Sequence, residues 1–380
     1  MTIKLSKQIG KNFCFAPWTN LHISIEGNYR TCCSGVDLGN IKKDLIIDVF
    51  ASDQYKSIQI ALANNQPHVN CRHCLHLEKN GGTSERTWYT HNDVEINTLH
   101  EQKYHSIDIR WNNVCDLSCT YCNKNFSSTW AKLQNTKHSS FYNKTNVDAV
   151  YDYISTHKEI KQINLAGGEP LLIKENLKLF DVINNTDTKL YIISNFASDI
   201  RTNQIFQKLM AISNDFQIDI SFDTVGDKFE YVRHGGCWNT MLDNIHYAQE
   251  QITKYKPNSN ISITSLYSVY NALELSQFTQ HLYDHELPMP RWTWLYNPKP
   301  LDVLQLPNRF EEICLEELHR SMHIFPQQDT NFFTSMLESV KNNNSYNQDC
   351  DYLYKWHAQQ EQTFWPSSPL KFADLWPNFR

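Results

Sequence analysis

Between residues 104 and 296 the chain alternates two kinds of pattern. Short runs in which apolar and polar residues take turns are separated by stretches with an apolar residue every three or four positions. The first kind puts successive side chains on opposite faces of a strand, and the second puts one stripe on a helix. Strands are predicted over 104–111 (YHSIDIRW), 161–166, 189–194, 216–222, 260–266 and 291–296. Helices are predicted between them over 146–156, 173–183, 203–213, 240–254 and 272–284. Strands that alternate with helices pair in parallel through crossovers. A doubly wound open sheet and a partial (β/α)6 TIM-like barrel both satisfy this pattern. Cys115, Cys119 and Cys122 follow the first strand, Gly167-Gly168-Glu169-Pro170 the second, Ser194-Asn195 end the third, and Ser221-Phe222-Asp223 end the fourth. Four successive loops with such residues at the C-terminal strand ends favour the barrel, whose reactive face is that one.

The flanks read differently. Residues 1–100 carry five of the cysteines in short irregular segments. Within them a hairpin is predicted from 22–26 to 29–32 around Gly27, bringing Cys14 and Cys32 together. Residues 298–380 give two helices, 309–322 and 331–341, then a polar stretch and a tail rich in Pro and Trp. That apolar tail needs burial and is expected to help close a substrate cavity. Three zones follow: an N-terminal cysteine-rich module (1–100), the barrel (101–297) and a helical C-terminal extension covering it (298–380).

Composition narrows the function classes. The 380 residues are 41% hydrophobic and 20% charged, as in a folded globular chain. A net charge of −6 without a basic run argues against nucleic-acid binding. The first residues contain no apolar core of a signal peptide, and no apolar stretch could span a bilayer. A cytoplasmic protein away from membranes is expected. In such a reducing setting eleven cysteines point to metal rather than to disulfides. Glycine is scarce, 11 in all, so the pairs Gly81-Gly82, Gly167-Gly168 and Gly235-Gly236 mark turns.

Cys115-Asp-Leu-Ser-Cys119-Thr-Tyr-Cys122 is a C-x3-C-x2-C loop. Its compactness suits an iron–sulfur cluster, and three thiolates leave one iron open to chelate a small molecule. Zinc is the weaker alternative, because it normally takes a second cysteine or histidine arm and none lies nearby in sequence.

With Tyr121 before its last cysteine, this loop resembles the signature of radical S-adenosylmethionine (SAM) enzymes, and Gly167-Gly168-Glu169-Pro170 resembles that family's GGEP motif. The resemblance covers about residues 104–297. It implies a partial radical SAM barrel in which Cys115, Cys119 and Cys122 hold a [4Fe–4S] cluster and SAM chelates its fourth iron. It places Tyr121, Gly167, Gly168, Glu169, Ser194, Asn195, Ser221 and Asp223 around SAM, with Glu169 receiving the methionine ammonium. The spacing Cys14-x12-Gly27-x4-Cys32 with Cys71-x2-Cys74 resembles the auxiliary-cluster modules called twitch or SPASM. It implies a second cluster, [4Fe–4S] or [2Fe–2S], on Cys14, Cys32, Cys71 and Cys74, with Cys33 the rival to Cys32. This module usually follows the barrel, whereas here it precedes it.

Cys314 reads as a core thiol, Cys33 and Cys237 as thiols able to approach a site, and Cys350 as a polar-loop cysteine able to substitute as a ligand. Trp292, Trp294 and Tyr296 read as packed barrel interior or a packed sheet face, and Glu78, Ser84 and Arg86 as a link between module and barrel. The pairs His281/His285 and His319/His323 have metal-helix spacing without the glutamate of H-E-x-x-H.

The resemblance implies an enzyme that cleaves SAM reductively to a 5′-deoxyadenosyl radical, which takes hydrogen from a substrate. A peptide or protein side chain is the first expectation, and a sugar or cyclitol, for a dehydrogenase or epimerase, the second. A flavodoxin- or ferredoxin-type electron donor would be needed. A non-catalytic iron–sulfur or zinc scaffold would leave the GGEP residues unexplained. A doubly wound methyltransferase would need a G-x-G-x-x-G turn, which is absent from the sequence.

Overall fold

A computed structural model describes residues 12–79, 84–90, 105–137, 140–141, 143–325, 330–343, 347 and 349–379. Gly81-Gly82 and the start of the first predicted barrel strand, residue 104, lie outside them. Among the described residues nine strands form one open sheet: β1 (Asn20–Ile23), β2 (Asn28–Arg30), β3 (Gly39–Asn40), β4 (Ser106–Ile109), β5 (Gln162–Leu165), β6 (Lys189–Ser194), β7 (Phe216–Ser221), β8 (Asn260–Tyr267) and β9 (Pro290–Trp294). Their order is β3-β2-β1-β4-β5-β6-β7-β8-β9. Strands β4 to β9 run parallel, as the alternating pattern predicts, and make the open, partial barrel.

The hairpin around Gly27 forms, but it does not stand apart. β1 pairs in parallel with β4, so β1–β3 extend the barrel sheet at its first edge. Gly27 takes φ +84°, and a Cβ there would meet Ile41 and Phe141 at 2.6 and 2.7 Å. At the other edge, Tyr296, just past β9, meets His73 at 2.6 Å, oxygen to Nδ1. His73 belongs to the helix Arg72–Lys79, which therefore touches the last strand while its own chain feeds the first.

Register sorts the two faces of the sheet. Leu21, Ile107, Ile163, Leu190 and Phe216 are successive partners across five strands, and all are fully buried. Each such side chain contributes about 1.5–3 kcal/mol by leaving water. On the other face the partners are polar: His22 with Asp108, Asp108 with Asn164, and Asp219 with Ser262. The inner face thus carries charged and hydrogen-bonding groups, with Tyr191 and Ile193 of β6 among them.

The C-terminal extension holds more structure than the sequence predicts. The helices Glu311–Ser321 and Asn331–Lys341 fall close to expectation, but a 14-residue helix, Asp351–Phe364, follows where a polar stretch was predicted. Cys350 is accordingly not in an open polar loop. It caps that helix at 2% exposure, beside Arg309. The tail packs Phe372, Trp376 and Phe379 on Tyr231, Tyr270, His357 and Phe310. The Trp376 indole donates to Tyr270 O at 2.9 Å. Trp292 stacks on Phe332, and the Trp294 indole donates to Asp302, so of the two packed settings expected both take the sheet's outer face. Among the described residues no helix is long and apolar enough to cross a membrane.

Candidate active site and auxiliary metal centre

The loop carrying Cys115, Cys119 and Cys122 leaves β4 and is tied down along its length. The Asn113 side-chain amide, fully buried, donates to Lys124 O at 2.8 Å and clasps the loop's two ends. Ser127 Oγ donates to Leu117 O and the Trp130 indole to Cys119 O. From the β7 side, Ser118 N and Thr120 N donate to His234 O and Val232 O. These bonds satisfy the backbone of an irregular segment that would otherwise be costly to bury.

The three thiols face one another closely enough to interact. Burial pushes Cys115 and Cys119 up to about 12 and Cys122 up to about 11, and charge on neighbouring thiols adds to the rise in each. Arg233 offsets part of that rise at Cys119 and Cys122, and a desolvated thiol set of this kind is one that bound cationic metal would turn to thiolate. Among the described residues no three thiol, imidazole or carboxylate groups converge on a single ion. A cubane cluster asks for less convergence, since each sulfur binds its own iron. The residues fit the cluster.

Beside the loop, Gly167 and Gly168 take φ +86° and +45°. A Cβ on Gly168 would meet Val114 O at 2.1 Å, so only glycine lets the turn after β5 press against the residue preceding Cys115. The next residue, Glu169, is 2% exposed. Its carboxylate accepts from Leu171 N (2.9 Å), Ser194 Oγ (2.8 Å) and Asn195 N (2.6 Å). All three partners are uncharged donors. Burial pushes the carboxyl up to about 7 despite those three bonds, with Asp116 adding to the rise. Asn195 bridges onward: its amide donates to Asp116 Oδ1 at 2.8 Å and lies 3.7 Å from Cys115 Sγ. The ends of β5 and β6 thus meet the cysteine loop in one corner.

Tyr121, Ser221 and Asp223 lie on the β7 side of that corner. Tyr121 donates its hydroxyl to Asp223 Oδ2 at 2.6 Å, and Arg233 sits over its ring and beside the same oxygen. Asp223 Oδ1 accepts from Leu266 N. Both carboxylate oxygens are engaged by protein, so Asp223 anchors Tyr121 and Arg233 against the loop. Ser221, at the end of β7, shares the inner face with Gln217 and Asp219.

The N-terminal cysteines form a second set. Burial raises all four thiols; Cys71 and Cys74 add to the rise in Cys14, Cys74 to that in Cys71, and Cys33, Cys14 and Cys74 to that in Cys32. Cys33 turns the other way, toward Glu85, Asp108 and Arg110. Of the two rivals, Cys32 has Cys14 and Cys74 among its charged neighbours and Cys33 has neither. Arg86 sits beside Cys14 and Cys74, held by Glu78 and by Phe13 O at 2.9 Å, while Ser84 also bonds Glu78. These three residues brace the thiol set by pairing among themselves.

The sequence reading missed several groups. Asp108 accepts from Arg110 at 3.0 and 3.2 Å and lies 3.0 Å from His22 Nδ1. Although burial alone would raise it, Arg110 and His22 hold the Asp108 carboxyl well below the usual range. Burial lowers His22, against the upward pull of Asp108. Asp219 pairs with Arg291 at 3.1 Å and with Ser262. Asp116, inside the cysteine loop itself, could have been flagged as a carboxylate set between metal-binding thiols. Cys237 is exposed and Cys314 buried.

Comparison with known proteins bears on both cysteine sets. The sequence profile of the radical SAM superfamily matches residues 109–265, and that of SPASM, an iron-sulfur cluster-binding domain, matches residues 14–75. No curated protein matches the chain in sequence. Similar solved structures include Streptococcus suis SuiB bound to S-adenosylmethionine, at 12% identity over 87% of this chain and 75% of that one, TM-score 0.43. Native anSMEcpe with bound AdoMet and Kp18Cys peptide is 16% identical, over 56% of this chain and 59% of that one, TM-score 0.41. The chain thus spans 59% of the length of that relative.

Proposed function

Because the chain belongs to the radical SAM superfamily and carries a SPASM domain ahead of that region, we propose that it activates SAM where the ends of β4, β5 and β6 meet. The radical would then act on a substrate held against the polar inner face. The two domains imply a [4Fe–4S] cluster, SAM and an auxiliary iron–sulfur cluster. When bound and reduced, this set supplies a 5′-deoxyadenosyl radical able to take hydrogen from a carbon centre.

The chain's own residues would do the rest. Cys115, Cys119 and Cys122 would hold the first cluster, and Cys14, Cys32, Cys71 and Cys74 the auxiliary one. The observation that carries the reading is Glu169: a buried carboxylate with only neutral partners, one residue away from a glycine cradle and one asparagine away from Cys115. A carboxylate so placed is matched by an incoming ammonium, such as that of SAM's methionine moiety. Gly167 and Gly168 would let backbone approach the ligand. Ser194 and Asn195 would fix the carboxylate's orientation, and Ser221 would line the far side. Tyr121, fixed by Asp223, would exclude water from the loop's flank.

Glu169→Gln keeps the shape and removes the charge. SAM affinity should fall roughly ten- to hundredfold, the worth of a charge-assisted bond, with both clusters retained. Equilibrium binding and iron analysis check this. In the unaltered protein the carboxyl is raised to about 7, so it is charged above that pH and protonated below it. SAM binding should therefore weaken as pH falls through about 7, and the Gln variant should lose that dependence. Without ligand the sign for stability is opposite: the folded state holds the proton more tightly, so stability falls as pH rises from about 4.5 to 7.

Cys71→Ala with Cys74→Ala should remove the auxiliary cluster while part of the uncoupled SAM cleavage survives. About half the iron should go if both clusters are [4Fe–4S], and a third if the auxiliary one is [2Fe–2S]. Full iron in that variant would contradict the assignment.

For substrate, the SPASM domain supports a peptide or protein side chain first. A sugar or cyclitol is the second reading, favoured by the inner face, where His22, Asp108, Arg110, Asp219 and Arg291 offer a dense set of hydrogen-bonding groups suited to hydroxyls. Transfer of deuterium from a labelled candidate into 5′-deoxyadenosine separates the two. A flavodoxin- or ferredoxin-type carrier would deliver the electron.

A further inference from the structure

Arg233 is a buried cation that the chemistry above does not use. It is 6% exposed, and a guanidinium is costly to bury unless its charge and its N–H groups are answered. Here the answer from the protein is thin. Nη2 donates to Asp223 Oδ2 at 3.4 Å, a long contact to an oxygen that already accepts from Tyr121 at 2.6 Å. Nε is buried with no hydrogen-bond partner among the described residues. The rest of the contact is the face of the Tyr121 ring, whose centre lies 5.6 Å from the guanidinium carbon.

Backbone geometry fixes this cation beside the middle cysteine of the loop. Val232 O and His234 O, on either side of Arg233, accept from Thr120 N at 2.8 Å and Ser118 N at 2.9 Å, on either side of Cys119. Arg233 and Cys119 are thereby held opposite each other between two hydrogen bonds. Against the larger effect of burial, Arg233 pulls the thiols of Cys119 and Cys122 down. At Cys119 that pull outweighs the opposing push of Asp223. The charged neighbours of Cys115 include Glu169 and Asp116, which raise it instead. Arg233 thus serves the flank of the loop away from the Glu169 corner, and the positive end of the Arg233–Asp223 pair faces the thiols.

We propose that Arg233 is a positioning residue for reduction: its charge, fixed beside Cys119, stabilises the reduced state of the cluster held at Cys115, Cys119 and Cys122 and so raises that cluster's reduction potential. The proposal rests on the radical SAM reading above. Reduction takes one electron from a low-potential one-electron reductant (dithionite in the test below) and moves no proton. The cluster therefore gains one negative charge, which a nearby buried cation favours.

The test is a redox titration with dithionite, followed by electron paramagnetic resonance, on the anaerobically reconstituted holoenzyme without SAM. The loop cluster is the signal missing from the Cys115/Cys119/Cys122 alanine variant, and the auxiliary cluster is the internal reference. In Arg233→Gln the reduced-to-oxidised ratio of the loop cluster at a fixed potential should fall roughly tenfold, a shift of about 59 mV to more negative potential. The auxiliary cluster should not move, and iron should be kept. Arg233→Lys, which retains the charge, should stay close to the unaltered protein. Asp223→Asn, which removes the opposing carboxylate, should shift the ratio the other way. An unmoved potential in Arg233→Gln, or equal shifts of both clusters, would overturn the proposal. Loss of the loop cluster from both Arg233 variants would overturn it too, and would make Arg233 a structural brace. Tenfold weaker SAM binding with an unmoved potential would do the same and reassign Arg233 to the ligand. If the unaltered protein gives no signal that depends on Cys115, Cys119 and Cys122, the failure lies in the underlying reading.

Discussion

Replacing Cys115, Cys119 and Cys122 with alanine should abolish SAM cleavage completely, with no residual 5′-deoxyadenosine, while the auxiliary iron stays. The loop is held by bonds that do not involve the thiols: Asn113 to Lys124 O, Ser127 to Leu117 O, Trp130 to Cys119 O. Removing one buried and two half-buried sulfurs should therefore leave the fold close to intact, and circular dichroism should show it. Iron per chain should drop by the share of one cluster, and the loss should match that of the Cys71/Cys74 variant only if both clusters are of one type. Full iron in the triple variant would place the SAM-linked cluster elsewhere.

Gly168→Ala should be nearly as damaging by a wholly different route. Its φ of +45° costs an alanine about 1–2 kcal/mol. The new Cβ would stand 2.1 Å from Val114 O and 2.8 Å from the carbonyl carbons of Asn113 and Val114, which are backbone atoms that cannot rotate away. Relieving that overlap should cost a further 1–3 kcal/mol or so. Because Val114 directly precedes Cys115, and Glu169 N donates to Val114 O at 2.6 Å, the shift must pass into both the loop and the carboxylate. A lower melting temperature, partial iron loss and at least tenfold weaker SAM binding are expected together. Gly226→Ala serves as the comparison, since its φ is also positive at +57° but a Cβ there meets nothing within 4 Å. Equal effects from the two substitutions would show that backbone strain alone, and not the close approach to Val114, makes Gly168 necessary.

Much of this was legible in the sequence because its signals are local. A thiolate loop, a Gly-Gly-Glu-Pro turn and the alternation of strand and helix each fit within a few residues of chain, and the six parallel strands lie within a few residues of where the pattern predicts them. What escaped depends on pairing between distant segments. His22, Asp108 and Arg110 become one cluster only because β1 joins β4, and nothing in either segment announces that parallel pairing. The helix Asp351–Phe364 escaped for a second reason. Its buried stripe is Leu353, His357 and Glu361, two of them polar and paid for by hydrogen bonds from Tyr231, Phe372 N and the Tyr270 contact. A reading based on hydrophobic periodicity sees no face there. Which of the adjacent Cys32 and Cys33 has Cys14 and Cys74 as neighbours likewise cannot be read from the sequence, because it depends on how the segment after β2 packs.

The most direct test is the nucleoside product. The protein, purified and reconstituted without oxygen, is incubated with SAM and dithionite, and the products are separated by chromatography and identified by mass. The account predicts 5′-deoxyadenosine and methionine in equal amounts, none of either from the Cys115/Cys119/Cys122 variant, and sharply less at limiting SAM from Glu169→Gln. Methylthioadenosine or S-adenosylhomocysteine as the main product from protein with its full iron would contradict it.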